Sequence, residues 1–433
     1  MCKSIYLLMA LSLLALVQNS QAEEWDLQTC LEIGLKKNPA ILGTVMAVEA
    51  AEARVKQNLS AYYPNIFAET DYTKYKTSSS ATSGSGSTGG GGLLSPGNFP
   101  VDLTTYYLGL SQNIYDFGRR EYKVQASRED LKTFQWATKD TRLSVIDSIR
   151  QAYYGVLLAQ RTVKVRQEDL FRTKEHLIQA KGFYQVGLKA MIDVTQAEVA
   201  VVTAQKTLLQ AENDVLVNWV NLSAAMGLDQ PPLMTLKDDL GTGTVNWQLD
   251  DLKKEALDRD PILNRLRAVI GYWEAQVEGV KREFWPTLTG TAKYGWNVGS
   301  TYNNDETFNM GLQFNFPFFS GFQSQAKLAE YRATLTQARA NEGTQKLLVV
   351  SNLQNQFLNH ALAVKQIEVT REALRSARDN LTLATGRYKA GVGSMLDVTD
   401  ARGSYVQAEN DYNQALYNSI TARYKVEKAI GRE

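Results

Sequence analysis

Residues 183–197 read FYQVGLKAMIDVTQA, and residues 387–401 read RYKAGVGSMLDVTDA. Setting Gly187 on Gly391 and Asp193 on Asp397 gives one offset, 391 − 187 = 204, which also carries Ala197 onto Ala401. Each copy lies between two long segments of helical periodicity. A glycine suits the left-handed residue that closes a helix. An Asp followed by Val-Thr and a polar residue suits the cap that opens the next one. Both copies therefore read as tight turns joining the two arms of a helical hairpin.

The duplication extends beyond these turns. Pro39 and Pro261, and likewise Pro64 and Pro286, are separated by 222 residues. In each half a helical section broken at Asn38-Pro39 or Asp260-Pro261 ends at Tyr63-Pro64 or Trp285-Pro286, and the period then changes from helical to two. Phe308, Met310, Leu312, Phe314 and Phe316 alternate with Asn309, Gly311, Gln313 and Asn315. The same alternation runs through 287–299, through 108–114 and, more weakly, through 66–72. These are four strands of about 10 residues, the length of a tilted membrane strand. Alternation alone fits one face of a soluble sheet equally well. The aromatic residues at the strand ends, Tyr62, Tyr63, Trp285, Phe318 and Phe319, favour lipid, where they would form an interfacial girdle.

The first residues support export. Lys3, an apolar run from Ile5 to Val17, and Ser20-Gln21-Ala22 are the parts of a signal peptide cleaved after Ala22. Its loss takes the formal charge from +1 to 0 and leaves Cys30 as the only cysteine, so no intrachain disulfide is possible. A balanced charge argues against a nucleic-acid binder, which needs a basic face. No later apolar run approaches the roughly 18 residues of a membrane helix, so membrane entry would have to be by strands. The organisation expected is a signal peptide over 1–22, a first structural repeat over 23–246 and a second over 247–433. The first repeat carries a Ser/Gly-rich insertion near 77–97 with flexible-linker composition.

The hairpin arms are very long. Arg119 to about Tyr184 contains no Pro, and roughly 65 residues at 1.5 Å each make about 100 Å of helix. Phe322 to Tyr388 is similar. On the second returning arm, positions 398, 401, 405, 408, 412, 415, 419, 422, 426 and 429 advance in steps of 3 and 4, as do the positions 204 earlier. One seam position is almost always Ala, which lets a neighbouring helix approach closely.

Four strands cannot close a barrel, for which about eight is the smallest workable number, and an open sheet edge is excluded from lipid. Identical subunits would have to share one barrel, although the strand arithmetic alone does not choose trimer over dimer. With this duplication, the paired turns and the strand-to-helix segments LSQNIYDFG (110–118) and FNFPFFSG (314–321), the mature chain resembles the TolC-type outer-membrane efflux protein family. That resemblance implies a mainly α fold with a membrane β-barrel portion. Long helical hairpins would form an α-barrel, and each protomer of a homotrimer would give four strands to a 12-stranded barrel. The protein would sit in the outer membrane, among its lipids, with a periplasmic extension. It would serve as exit duct for an inner-membrane transporter joined through a periplasmic adaptor, in efflux or type I secretion.

In that family the paired turns lie at the periplasmic tip, where the tunnel narrows and opens. The matching residues here are Gly187 and Asp193 in the first copy and Tyr388, Gly391, Asp397 and Asp400 in the second. One inward carboxylate per subunit becomes a ring under cyclic symmetry, attracting cations. Asp193 and Asp397 also suit helix capping, whereas Asp400 has the non-acidic twin Gln196 (400 − 204) and is the better ring candidate. Some family members hold the tip closed with a basic residue two positions after the second turn glycine. Here that position is Gly393, while the first copy has Lys189.

Catalysis has no support in the sequence. The two histidines, His176 and His360, fall in long helical patterns and read as partly exposed. There is no nucleophile grouping, metal-ligand spacing or nucleotide loop, so neither enzyme nor cofactor is expected. The competing class is a periplasmic adaptor or coiled-coil scaffold, against which two aromatic strand hairpins inside a duplication count.

Overall fold

A computed structural model describes residues 24–75, 101–230, 235–238, 247–299 and 302–433. The signal peptide and the Ser/Gly-rich insertion lie outside the described residues. The elements are β1 (Glu24–Trp25), α1 (Leu27–Lys37), α2 (Pro39–Leu59), β2 (Asn65–Tyr75), β3 (Val101–Tyr115), α3 (Arg119–Gln185), α4 (Met191–Met226), β4 (Thr235–Leu236), α5 (Leu249–Arg259), α6 (Pro261–Lys281), β5 (Thr287–Gly299), β6 (Tyr302–Asn315), α7 (Gln323–Lys389) and α8 (Met395–Ala429). Both Pro39 and Pro261 stand at the first position of a helix, where the missing N–H costs nothing. The helices α3 and α7 each run 67 residues, and each is 204 residues from its twin, as are α4 and α8 at their starts.

The chain divides into two compact units, and each takes segments from both halves of the duplication. One unit comprises 49–133 and 266–341. Its centre is a four-stranded antiparallel sheet in the order β2-β3-β5-β6. Side chains alternate between faces along a strand, and the register lines them up across the sheet. Ile66, Leu110, Ala292 and Met310 form one row, and Ala68, Leu108, Tyr294 and Phe308 the next. The other face carries the rows Phe67, Gly109, Lys293, Asn309 and Glu69, Tyr107, Gly295, Thr307. The strands are 11 to 15 residues long, not about 10. The backbone ladder continues past the apolar band, as at Asp305, Glu306 and Thr307 in β6.

The strand-to-helix corners need two successive left-handed residues. Phe117 (φ 55°) and Gly118 (φ 90°) supply them in the first half, Gly321 (φ 63°) and Phe322 (φ 65°) in the second. A left-handed Phe is uncommon. Phe117 is fixed by stacking on Trp285, ring centroids 5.2 Å apart, and by an edge contact with Tyr115 at 4.6 Å.

The other unit holds the described residues within 24–48, 134–265 and 342–433. Its largest core packs Trp25, Cys30, Ile149, Tyr153, Leu157, Leu222, Met226 and Ile420. Beside this core β1 pairs in parallel with β4, and the buried Tyr153 hydroxyl donates to the Lys237 carbonyl at 2.8 Å. Cys30 is fully buried, which pushes its thiol up to about 12 and leaves it a small core hydrophobe.

Candidate functional site

The paired turns share one closing geometry. Gly187 (φ 74°) and Gly391 (φ 79°) are left-handed. In the first copy the Gly187 N–H donates to Tyr184 O (3.0 Å) and the Leu188 N–H to Phe183 O (2.9 Å). In the second, Gly391 N–H donates to Tyr388 O (3.0 Å) and Val392 N–H to Arg387 O (3.1 Å). Both are Schellman closures, as the glycines led one to expect.

The openings of the next helices differ. Ser394 Oγ accepts from the Asp397 N–H at 3.1 Å, and the Asp397 carboxylate accepts from the Ser394 N–H at 3.2 Å, completing a reciprocal capping box. These bonds hold the Asp397 carboxyl below its ordinary range. The first copy has no side-chain cap, because Ala190 stands where Ser394 does and has no hydroxyl to offer. The expectation of a cap at both turns thus holds at one. At the first turn Lys189 instead reaches the second, its Nζ donating to Gly393 O at 2.7 Å and lying 5.3 Å from the Tyr388 ring centroid. Lys189 and Gly393 are themselves twins (393 − 204), so the one basic residue of the pair bonds the backbone of its own glycine counterpart.

Between the turns, Tyr388 is fully buried with Ala180, Val194, Ala197, Met395 and Val398, its ring 5.7 Å from that of Phe183. Its hydroxyl has no hydrogen-bond partner among the described residues. Burial and then the Asp193 carboxylate raise its pKa. Asp400, in the second turn of α8, is exposed, as is Asp397 in the first. Tyr388, Asp193 and the two glycine turns therefore converge, while the two other carboxylates face solvent.

A second polar cluster went unnoticed in the sequence. Arg402 of α8 lies 3.3 Å from Asp169 of α3 and also donates to Thr173. The groove they share between α3, α7 and α8 has a volume of about 560 Å³ and is lined also by His176, Arg378, Lys389 and Tyr405. Asp169 and His176 are both buried, at 8% exposure. Burial raises the Asp169 carboxyl against the pull of Arg402 and Arg166. Burial lowers the His176 imidazole, and Arg402 adds to the effect. His360 is buried too, its ring 5.0 Å from that of Trp247. Both histidines were expected to be partly exposed. Neither position betrays burial locally, because the helices that cover them come from distant sequence. A signal did exist in the duplication: Asp169, Thr173 and Arg402 have the twins Ala373, Ala377 and Glu198, so this charge pair occurs once.

In the sheet unit the five proposed girdle aromatics are all exposed, from 44% at Tyr62 to 90% at Phe318. Arg120 lies 4.8 Å from the Tyr62 ring centroid, and Phe319 meets Phe322 edge-on at 5.5 Å. The apolar sheet face is exposed over Ile66, Leu108, Leu110, Tyr294, Phe308, Met310, Leu312 and Phe314. On the opposite face Lys293 pairs with Glu69 at 3.3 Å and lies over the Phe67 and Tyr107 rings, and Phe67 fills the space that a side chain at Gly109 would need. One face is made for an apolar medium and the other for water.

The described outline matches known proteins over nearly the whole chain. The model of the family "outer membrane efflux protein" fits residues 31–228 and 252–432. The outer membrane protein TolC of Escherichia coli K12 is 23% identical over 448 residues, covering 100% of this chain and 87% of that protein. The alkaline protease secretion protein AprF of Pseudomonas aeruginosa is 25% identical over 334 residues, covering 73% and 67%. Among solved structures, the outer-membrane channel OprN superposes with a TM-score of 0.80 at 18% identity, covering 94% of this chain and 90% of that one. VceC of Vibrio cholerae gives 0.79 at 18%, covering 94% and 96%.

Proposed function

The chain belongs to the outer membrane efflux protein family, and from this premise we propose that three copies close one duct, fed from the periplasmic side by an adaptor and an inner-membrane transporter. The protein is an outer-membrane exit duct with a periplasmic helical extension. Its family is one of channel proteins, and the adaptor alternative draws no support from the relatives above.

The observation that carries the assembly is the sheet. It has one continuous exposed apolar face, a polar opposite face, and two edge strands, β2 and β6, each with a single partner among the described residues. Unpaired edges are forbidden in hydrocarbon. Pairing β6 of one copy with β2 of the next satisfies them, and three copies make 12 strands, enough for an open lumen. Lys293, Glu69 and Tyr107 then face that lumen.

In the same reading the turns of the two hairpins gather round the axis at the periplasmic end. Asp400 contributes a ring of three carboxylates that draws cations, while Asp397 serves mainly as a cap. Names of relatives point to two cargo classes, small molecules such as antibiotics and toluene, and a secreted protease. A wide polar lumen suits either, so the transporter sets the choice.

Mass determination of the detergent-purified protein tests the assembly. The reading expects a complex of three chains recovered from the outer-membrane fraction. A monomer, or recovery in the soluble fraction, would sink it.

A further inference from the structure

The polar face of the sheet carries one patch that the rows beside it do not share. In the ladder, Phe67 of β2 faces Gly109 of β3, which in turn faces Lys293 of β5. One row further along the same face, Glu69 faces Tyr107, which faces Gly295. Each ring lies down over the glycine beside it. A Cβ added at Gly109 would run into the far end of the Phe67 ring, and one at Gly295 into the Tyr107 ring and the Tyr106 carbonyl. Lys293 sits between the two rings, its Nζ 5.6 Å from the Phe67 centroid, 5.2 Å from that of Tyr107 and 3.3 Å from the Glu69 carboxylate. The rows on either side, which begin at Asn65 and Asp71, hold no aromatic and no cationic residue.

Filling the space over a glycine explains why the rings lie flat, but not what their open sides meet. A ring that stands up from a sheet offers its edge. A ring that lies along it offers its face, the surface on which another planar ring stacks. Phe67, Tyr107 and Lys293 are each only half-buried, so two aromatic rings and an ammonium lie side by side on the open side of the wall. The Lys293–Glu69 pair leaves 40% and 42% of its two side chains exposed, and an exposed ion pair is held weakly. An incoming anion can therefore take Lys293 from Glu69 without stranding a buried charge. A cation would gain only Glu69, against the repulsion of the lysine beside it.

The geometry points to a weak binding station for planar aromatic anions, compounds whose ring carries a carboxylate, sulphonate or phenolate. The ring of the ligand stacks on Phe67 and Tyr107, and its charge takes the place of the Glu69 carboxylate at Lys293. This rests on the duct reading above, which turns the polar face towards the lumen, and adds a class of cargo that the wall itself prefers. Three copies set three such stations at one level. Weak binding is what a conduit requires, since a cargo held tightly would not leave. The transporter still decides what enters, and Lys293 with its two rings acts on what is already inside.

Saturation-transfer NMR on the full-length protein held in amphipol tests the station. Naphthoate is the probe, with cyclohexanecarboxylate (same charge, no aromatic face) and naphthylmethylammonium (same ring, opposite charge) as controls. The native protein should bind naphthoate in preference to both. Lys293→Gln should weaken naphthoate binding, and Phe67→Leu should weaken it by about 2- to 10-fold, the worth of one aromatic contact. Glu69→Gln frees the lysine and should tighten binding, a gain that a misfolded chain cannot give. No naphthoate signal, equal binding of either control, no change in Lys293→Gln, or weaker binding in Glu69→Gln would overturn the station. Planar-bilayer conductance of the same preparations separates the two readings. A conducting protein that fails these tests loses the station and keeps the duct, whereas a silent one overturns the duct reading and with it the station's place in a lumen.

Discussion

The two hairpin turns share seven of fifteen residues and the same left-handed glycine closure, yet they open in different ways. The second turn is self-sufficient, with Ser394 and Asp397 capping each other. The first has Ala190 in place of the serine and spends its lysine on the second turn's backbone. Duplication thus produced one turn that holds itself and one that holds its neighbour. A close twin in sequence is a reliable guide to backbone path, and a poor guide to which side chain carries a bond.

The charge pair behind the turns offers the largest way to break this comparison. Arg402→Ala removes the ion-pair partner of the buried Asp169 and leaves it only the more distant pull of Arg166, and breaking a buried pair costs up to about 3–5 kcal/mol. Amide exchange of the segment 165–180 should speed up accordingly. The twin change Glu198→Ala removes only an exposed ion pair with Lys181 at 3.0 Å, worth about 0–1 kcal/mol, so it should alter exchange far less. Equal effects would mean that the asymmetry is cosmetic.

The caps come next. Ser394→Ala should cost α8 about 0.5–2 kcal/mol, read as faster exchange at Met395 to Thr399. The reverse change, Ala190→Ser, supplies the missing hydroxyl three residues before Asp193. It should slow exchange at the start of α4 by a similar margin. If Ala190→Ser does nothing, the first turn departs from the second in more than that one atom.

A smaller effect depends on pH. The His176 pKa is lowered in the fold, so the folded state resists a proton that the unfolded chain accepts. The penalty is absent above about pH 6.5, the ordinary imidazole value, and grows as pH falls below it. Asp169 has the opposite sign. Its raised pKa makes the ionised form the costly one, and protonation at lower pH relieves that cost. Arg402 and Lys389 oppose a charge on His176, and Glu175 favours it. Local stability of 165–180 should therefore drop between pH 7 and 5.5 in the native chain, and His176→Gln should flatten that drop.

The last effect concerns selectivity. Asp400→Asn should weaken block of the channel by multivalent cations, and Gln196→Asp, which gives the first copy the same carboxylate, should strengthen it. Unchanged block in both variants would reduce Asp400 to a solvated surface carboxylate.

Much of this fold was legible because it is written in periods. The change from steps of 3 and 4 to steps of 2, the prolines at helix starts and the constant offset locate the four long helices and four strands closely. What was not legible depends on partners brought from far away. The parallel pairing of Glu24–Trp25 with Thr235–Leu236 involves too few residues to leave a pattern. The adjacency of β3 and β5, which joins the two hairpins into one sheet, is a tertiary choice that neither hairpin encodes alone. The burial of His176 and His360 follows from helices over 200 and over 60 residues away in sequence, Arg402 and Arg423 being their respective neighbours. At the candidate site the turn glycines and Asp397 were readable from local rules. The cross-turn reach of Lys189 was not, since nothing local states what a surface lysine will find.

An exit duct has to form a continuous conduit through a membrane. Conductance of the purified protein in a planar lipid bilayer tests it most directly. Discrete, long-lived steps of uniform size are expected, with greater block by multivalent cations added on the side of the paired turns than on the other. A bilayer that stays silent at protein concentrations giving membrane-bound rings would contradict it.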